Sequence, residues 1–261
     1  MSRLDIELVS RGLARSRERA KEMIHSGSIS VNGKTAKKPS DEVTEVDEII
    51  SNEKDSYVGR GALKLEKASE VFGLDFSGMF CIDIGASTGG FTDLMLQRGA
   101  VKVYAVDVGH GQLAEKLRND ARVVNMEGTD IRELSSDDFG GKADFISVDV
   151  SFISLTKILP KVYELLSDGS VAAVLIKPQF EAGRSDIGKR GVVKDRKVHL
   201  RVLSEIDRFA SSIGFLTEKY TYSPVRGGSG NIEYLVKLRK AEGEPVIHDF
   251  KELIDSSFSK L

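Results

Sequence analysis

The sequence predicts an α/β protein: a Rossmann-like, seven-stranded, mostly parallel sheet covered by helices, preceded by a small α+β unit. Three observations predict it. From about residue 79, short apolar runs alternate with amphipathic stretches of helical period. A glycine-rich turn, Gly85–Gly90, follows the first of those runs directly. The first 58 residues differ from the rest in charge and pattern, so residues 1–58 read as one domain with its linker and 59–261 as a second.

In the N-terminal unit, Arg3–Arg11 and Ser16–His25 read as two helices. Ser16 caps the second, and Ala20, Met23 and Ile24 share one face. Ser28–Val31 alternates as a half-buried strand does, and Asn32-Gly33 marks a two-residue hairpin turn. In the larger unit, Met79–Ile84, Val101–Val108, Arg122–Met126, Asp144–Val150, Val171–Lys177, Leu216–Ser223 and Ile232–Leu238 read as strands. Phe91–Arg98, Gln112–Asn119, Leu155–Leu166 and Val198–Ile213 read as the helices between them. No helix separates the last two strands, which predicts an antiparallel final pair. The tail, Ala241–Leu261, reads as a short helix.

Composition narrows the class. The 261 residues are 40% hydrophobic and 30% charged, with a net charge of -2, so a globally basic nucleic-acid binder is excluded. Charge is instead segregated. Residues 1–38 hold nine basic against four acidic residues, and 39–55 hold seven acidic against one basic. The single cysteine, Cys81, sits in an apolar run and excludes both an intramolecular disulfide and a Cys-rich zinc site. No metal ligand set is read. The N-terminus lacks the apolar stretch of a signal peptide, and the longest apolar run, Val171–Ile176, is too short to span a bilayer. A cytoplasmic protein without membrane contact is the expectation, and composition is silent on oligomeric state.

The turn Asp83-Ile84-Gly85-Ala86-Ser87-Thr88-Gly89-Gly90-Phe91 predicts a cofactor site. The next strand ends in Asp107, placed to accept from both ribose hydroxyls of an adenosine cofactor, and Asp130 follows the third strand within reach of an adenine amine. Ser87 stands where a dinucleotide-binding turn wants glycine, and a carboxylate at Asp83 repels a pyrophosphate. S-adenosylmethionine carries no phosphate and has a cationic methionine end, which an adjacent carboxylate favours. It is therefore preferred over NAD.

The reacting group is read from charge at the strand ends. No Asn/Asp-Pro-Pro-aromatic segment follows the fourth strand; Asp149-Val150-Ser151-Phe152 stands there. Asp149 and Lys177 end neighbouring strands, Glu233 opens the last, and Lys64 precedes the first. A lysine at the end of a buried strand is costly unless it is paired or works. Two lysines beside one hydroxyl have a use. Desolvation and mutual repulsion lower one pKa so that it takes the hydroxyl proton, while the carboxylates oppose that drop. Phosphates are expected on a basic patch of Arg3, Arg15, Arg19, Lys21, Lys34, Lys37 and Lys38. Arg60 and the Gly-containing loop bearing Arg184, Lys189, Arg190 and Lys194 are expected to add to it.

The sequence resembles the TlyA family of rRNA methyltransferases, often labelled hemolysins, across nearly its whole length. The residues that carry the resemblance are Ser16–Ala20 with Gly27–Gly33, Arg60–Leu65, Asp83–Phe91, Lys177–Arg184, Gly191–Val193, Ser223-Pro224, Arg226–Gly228 and Gly230–Glu233. It implies an S4-like RNA-binding domain joined to an FtsJ-like, class I 2′-O-methyltransferase with sheet order 3-2-1-4-5-7-6. It also implies a Lys-Asp-Lys-Glu tetrad at Lys64, Asp149, Lys177 and Glu233, acting on cytidine riboses of ribosomal RNA or ribosomal subunits. Ala62 stands where relatives often have glycine. Two rivals remain at this level, a non-catalytic ribosome-binding or assembly factor and an NAD-dependent oxidoreductase. A membrane-lytic protein is disfavoured by the lack of a spanning or lytic segment.

Overall fold

The computed structural model describes residues 2–11, 13–14, 17–51, 57–188, 191–244 and 246–261. The chain divides into two compact units, Met1–Ser56 and Tyr57–Leu261.

In the N-terminal unit, helices Leu4–Ser10 and Arg17–His25 pack together. Leu4, Leu8, Ala20, Met23 and Ile24 close a small core with Ile29, Ala36 and Val43. The one-face spacing of Ala20, Met23 and Ile24 is what directs the second helix inward; its expected cap, Ser16, lies outside the described residues. Strand Ile29–Val31 is the middle of a three-stranded antiparallel sheet, between Lys34–Thr35 and Ile49–Ser51. Asn32 and Gly33 form the turn with φ of 50° and 76°, the paired left-handed conformation such a hairpin needs. Arg3 belongs to a short strand, Ser2–Arg3, paired with Glu42–Val43, rather than to the first helix.

The larger unit is built on β1 (Phe80–Ile84), β2 (Lys102–Asp107), β3 (Val123–Glu127), β4 (Ala143–Val148), β5 (Leu166–Ile176), β6 (Leu216–Tyr222) and β7 (Tyr234–Arg239). They form one sheet in the order 3-2-1-4-5-7-6. β1 to β5 run parallel, and β7 runs antiparallel to both β5 and β6. The pleat divides the core by alternate residues. Cys81, Phe145, Ala173, Leu175 and Leu235 face one side, where α1 (Ala62–Phe72) and α2 (Gly90–Gln97) cover them. Ile82, Ile146, Val174 and Val236 face the other, under α4 (Leu159–Leu165), α6 (Arg196–Ser212) and α7 (Phe250–Lys260). The short α3 (Glu115–Arg118) and α5 (Pro178–Glu181) lie after β2 and β5.

Several expected elements differ, each for a local reason. The helix expected over 112–119 shrinks to α3 because Ala114 is extended, with ψ of 140°, and gives its N–H to the Thr88 carbonyl at 3.2 Å. The helix expected over 155–166 splits into a 3₁₀ turn, Leu155–Lys157, and α4, with Pro160 at the start of the latter. β5 begins at Leu166, earlier than expected, and ends at Ile176, so Lys177 caps α5. Glu233 lies one residue before β7 rather than in it. Lys64 is carried by α1, a helix outside the elements expected from the sequence.

Candidate active site

The strand order reverses between β1 and β4, where one connection runs out towards β2 and the other towards β5. A crevice opens at such a point beyond the carboxyl ends of the strands. Gly85 shapes its floor. A Cβ there would lie 2.4 Å from the Asp149 carbonyl oxygen, and φ is +82°. Only glycine lets β1 and β4 close so tightly. The Asp149 N–H then donates to the Ile84 carbonyl at 2.9 Å, which sets Asp149 at the end of β4. Gly90 plays the same part for Lys64. A Cβ there would lie 2.8 Å from Ala62 N, so the first turn of α1 can rest on the first turn of α2.

Lys64, Asp149, Lys177 and Glu233, which come from α1 and from the ends of β4, β5 and β7, meet in this crevice. Lys64 Nζ lies 2.8 Å from Glu233 Oε2 and 3.3 Å from Asp149 Oδ2. Lys177 Nζ pairs with Asp149 Oδ1 and donates to Ser151 Oγ at 2.9 Å. Lys64, Lys177 and Glu233 are buried, and Asp149 is half-buried. Burial pulls the Lys64 ammonium down, but the Asp149 and Glu233 carboxylates outweigh it and leave its pKa raised. The balance between desolvation and carboxylate charge, open in the sequence, falls to the carboxylates at Lys64. Two carboxylates facing one ammonium win over desolvation.

The cluster has supports that no motif spacing displays. Gln179 Nε2 donates to Glu233 Oε1 at 3.3 Å. A Cβ at Gly227 would meet that same Oε1 at 2.3 Å, so the carboxylate occupies space a side chain would fill. Behind Glu233, Tyr234 and His199 are fully buried and share a 2.9 Å hydrogen bond, and the other ring nitrogen of His199 lies 3.0 Å from the Val193 carbonyl. Burial lowers the His199 pKa and favours its neutral form. Buried Asn231 accepts from Val193 N–H at 2.9 Å and donates to the Gly191 carbonyl at 2.8 Å. The Gly-Val-Val and Gly-Asn-Ile-Glu segments are thus two sides of one contact. On the open side, Phe152 is 90% exposed, adopts φ of 64°, and packs its ring 4.8 Å from that of Phe180.

Asp83 opens the glycine turn with hydrogen bonds of its own. Asp83 is fully buried and accepts from Thr92 N–H at 2.9 Å, Thr92 Oγ1 at 2.7 Å and Ser147 Oγ at 2.9 Å. It ties β1 to α2 and β4. The pleat turns Asp83 to the same side as Cys81, towards α1 and α2. Burial pushes its carboxyl up to about 6 despite those bonds. The turn itself carries φ values of 82° at Gly85, 49° at Ser87 and 91° at Gly89, with Ala86 and Phe91 buried and Thr88 exposed. At the end of β2, Asp107 accepts from Ser87 N–H at 2.8 Å and Gly109 N–H at 2.7 Å. Asp130 is engaged by Arg132, whose hydrogen bonds lower its pKa.

S-adenosylmethionine fits this set. Asp107 uses one acceptor position on each oxygen and keeps others for a pair of hydroxyls. Gly109 and Gly128 flank it without side chains, in space where a Cβ would strike Gln112 and His110. No lysine or arginine stands within the turn 85–91 to receive a pyrophosphate. Among the described residues no cluster of His, Cys, Asp and Glu has metal-ligand geometry, and no helix is long and apolar enough to cross a membrane.

The expected RNA contacts divide into two kinds. Lys34, Lys37 and Lys38 are exposed and their ammonium groups have no partner among the described residues; Arg60 is exposed at the entry to α1. Arg3 is bound to Asp5 at 2.9 Å, Arg19 to Glu22 at 3.1 Å, and Lys21 is half-buried. Arg15 and Lys189 lie outside the described residues, as does the side chain of Arg184.

A sheet of this order, with a glycine turn after β1 and an acid at the end of β2, defines an S-adenosylmethionine-dependent methyltransferase. The chain belongs to the FtsJ-like methyltransferase family, which matches residues 57–240, and its S4 domain at residues 2–49 places it in the TlyA branch. It is 43% identical over 240 residues to the 16S/23S rRNA (cytidine-2′-O)-methyltransferase TlyA of Mycobacterium tuberculosis, covering 91% of this chain and 90% of that protein. It is 42% identical over 234 residues to Hemolysin A of Brachyspira hyodysenteriae, covering 89% and 98%. A solved hemolysin-labelled structure from Streptococcus thermophilus superposes with a TM-score of 0.77 at 44% identity, covering 99% of this chain and 96% of that one.

Proposed function

We propose that this protein transfers a methyl group from S-adenosylmethionine to the 2′-hydroxyl of a cytidine ribose in ribosomal RNA, in the cytoplasm. The observation that carries the reading is the meeting of Lys64, Asp149, Lys177 and Glu233 at the switch point of the sheet. An aliphatic hydroxyl needs a proton acceptor and a held geometry, and a base nitrogen needs neither lysine. The 43% identity to a protein named as a cytidine-2′-O-methyltransferase supports the same substrate.

In this reading Asp107 holds the ribose of the cofactor and Asp130 its adenine edge, while Gly85–Phe91 bring backbone close to it. When bound, S-adenosylmethionine supplies an electrophilic methyl group and departs as a neutral thioether. Lys64, held as an ammonium by its two carboxylates, orients the substrate oxygen. Lys177, as the neutral amine, takes the 2′-hydroxyl proton at Nζ, and Asp149 fixes that nitrogen and balances the ammonium it becomes. Phe152, exposed beside the pair, offers a face on which the target base stacks once it is withdrawn from its helix. Residues 1–58, with Lys34, Lys37 and Lys38, hold phosphates, and Arg60, Arg184 and Lys189 extend that contact.

The test is transfer of label from S-adenosylmethionine to unmodified ribosomal subunits and naked rRNA, followed by mapping of the modified nucleotide. Resistance of the labelled linkage to alkaline cleavage is expected, because a 2′-O-methyl ribose cannot cleave internally. Label on a base would overturn the ribose assignment. RNA binding without transfer would favour a ribosome-binding factor.

A further inference from the structure

The loop after β4 and the loop after β5 are tied together at three points. Lys177 Nζ donates to Ser151 Oγ at 2.9 Å, and the Phe152 and Phe180 rings pack at 4.8 Å. The third tie belongs to Glu181, at the end of α5. Its Oε2 accepts from Ser154 Oγ at 2.7 Å and its Oε1 from Leu155 N–H at 2.8 Å. Leu155 opens the 3₁₀ turn Leu155–Lys157, so Glu181 satisfies an N–H that this turn leaves free. The carboxylate is half-buried. Buried charge of this kind is retained where its hydrogen bonds hold something in place.

What it holds is the stretch between Ser151 and Ser154. Within that stretch Phe152 adopts φ of 64° while its ring stays 90% exposed. A bulky aromatic in the left-handed region is strained, and it persists only where both flanks are fixed. Lys177 fixes one flank through Ser151, and Glu181 fixes the other through Ser154 and Leu155. Lys177 is already engaged by Asp149, whereas the Glu181 carboxylate makes no hydrogen bond or ion pair to the tetrad among the described residues and takes no part in proton transfer.

We infer that Glu181 is a positioning residue for RNA binding, cross-tying the β4 and β5 loops so that Phe152 stands ready for the target base. This rests on the ribose-methylation reading and on Phe152 as the stacking face. Removing Glu181 releases the backbone of 152–155, and the aromatic ring relaxes away from the crevice. The tetrad and the cofactor turn keep their own contacts, so cofactor affinity and saturated turnover are preserved.

The experiment is steady-state methyl transfer to unmodified ribosomal subunits with Glu181→Ala, Glu181→Gln, Phe152→Ala and the double variant Glu181→Ala/Phe152→Ala. S-adenosylmethionine affinity is measured in parallel. Glu181→Ala is expected to raise KM for the subunit about 10-fold with kcat and cofactor affinity within about 2-fold. Glu181→Gln, which keeps an acceptor for Leu155 N–H and gains a donor towards Ser154, is expected to recover most of the loss. The double variant is expected to be no worse than Phe152→Ala alone, since the two changes act through one element. Additive losses, a fall in kcat at constant KM, or wild-type kinetics in Glu181→Ala would each overturn the inference. Should Glu181→Ala fail to fold, Ser154→Ala removes one of the two ties and the same non-additivity with Phe152→Ala decides. If Phe152→Ala itself leaves KM unchanged, the stacking face is wrong; if label maps to a base, the ribose reading is wrong; each is distinguishable from a failure of Glu181.

Discussion

The crevice and the basic face of the N-terminal unit both carry lysines suited to a polyanion, and they hold them in opposite ways. In the crevice, Lys64 and Lys177 are buried and each is paired with carboxylate. In the N-terminal unit, Lys34, Lys37 and Lys38 are exposed, with ammonium groups that no described side chain neutralises. A paired, desolvated lysine is fixed in place and poorly screened, so it serves geometry and, as the neutral amine, proton transfer. An exposed, unpaired one is free to exchange its counterions for phosphates, so it serves affinity. The N-terminal unit also contains the contrary arrangement. Asp5 is fully buried between Arg3 and Arg17, whose hydrogen bonds hold its carboxyl down to about 2. Those two arginines are occupied in holding the first strand and second helix together, and only their exposed parts are left for RNA.

The contrast can be broken most directly at Lys177. Lys177→Ala is expected to lower methyl transfer by about 10³-fold, within the range of a lost general base, with RNA binding unchanged. Turnover near wild type would show that the buried lysine only supports the fold. A subtler break is Gly227→Ala. Its Cβ would overlap Glu233 Oε1, so the carboxylate must withdraw from Lys64. The expected loss is roughly 10- to 100-fold in kcat, or about 1.4 to 2.7 kcal/mol, with S-adenosylmethionine binding intact. On the exposed side, the triple change Lys34→Ala, Lys37→Ala and Lys38→Ala is expected to weaken RNA binding roughly 10-fold at low salt. It should flatten the slope of log affinity against log salt by about 2 to 3, at close to 0.9 per lost phosphate contact. Turnover at saturating RNA should be untouched, and a fall in kcat would merge the two regions that the comparison separates.

The smallest effect concerns Asp83. Its carboxyl is raised to about 6 by burial, from an ordinary value of 3.8. Folding therefore favours the neutral acid. The stability this group contributes is complete below about pH 4 and is lost as pH rises through about 6. Between pH 7 and 5.5 the wild type should gain about 1 kcal/mol relative to Asp83→Asn, read as the gap between their urea unfolding curves at each pH. A gap that does not change with pH would mean that Asp83 titrates as an ordinary exposed acid.

Much of the fold is legible in the sequence. Strand alternation placed all seven strands of the large sheet to within a few residues, except for the early start of β5 at Leu166, and the lack of a helix between β6 and β7 foretold their antiparallel pairing. The Asn32-Gly33 turn was readable from two residues because the conformation it needs excludes most others. The strand-end positions of Asp149 and Lys177 pointed to one crevice, since parallel strands bring their carboxyl ends together. Less legible was α1, whose start carries no side-chain cap: Gly61 stands at its N-cap position. Glu181 and Gln179 carry no local signal, because their work is done across gaps of 26 and 54 residues, and Gly227 matters only through the Glu233 side chain packed against it.

Local chain chemistry by itself determined the periods, the turns and the residue types gathered at the strand ends, because these follow from neighbours a few positions apart. Tertiary structure alone decided orientation and environment. It buried Asp83 against Thr92 and Ser147, and it left Phe152 exposed in a left-handed conformation. It also set two carboxylates around Lys64, so that its pKa rises where burial alone would lower it. The physical reason is that desolvation and charge pairing oppose each other over a few ångströms, and their balance depends on distances set by segments far apart in sequence.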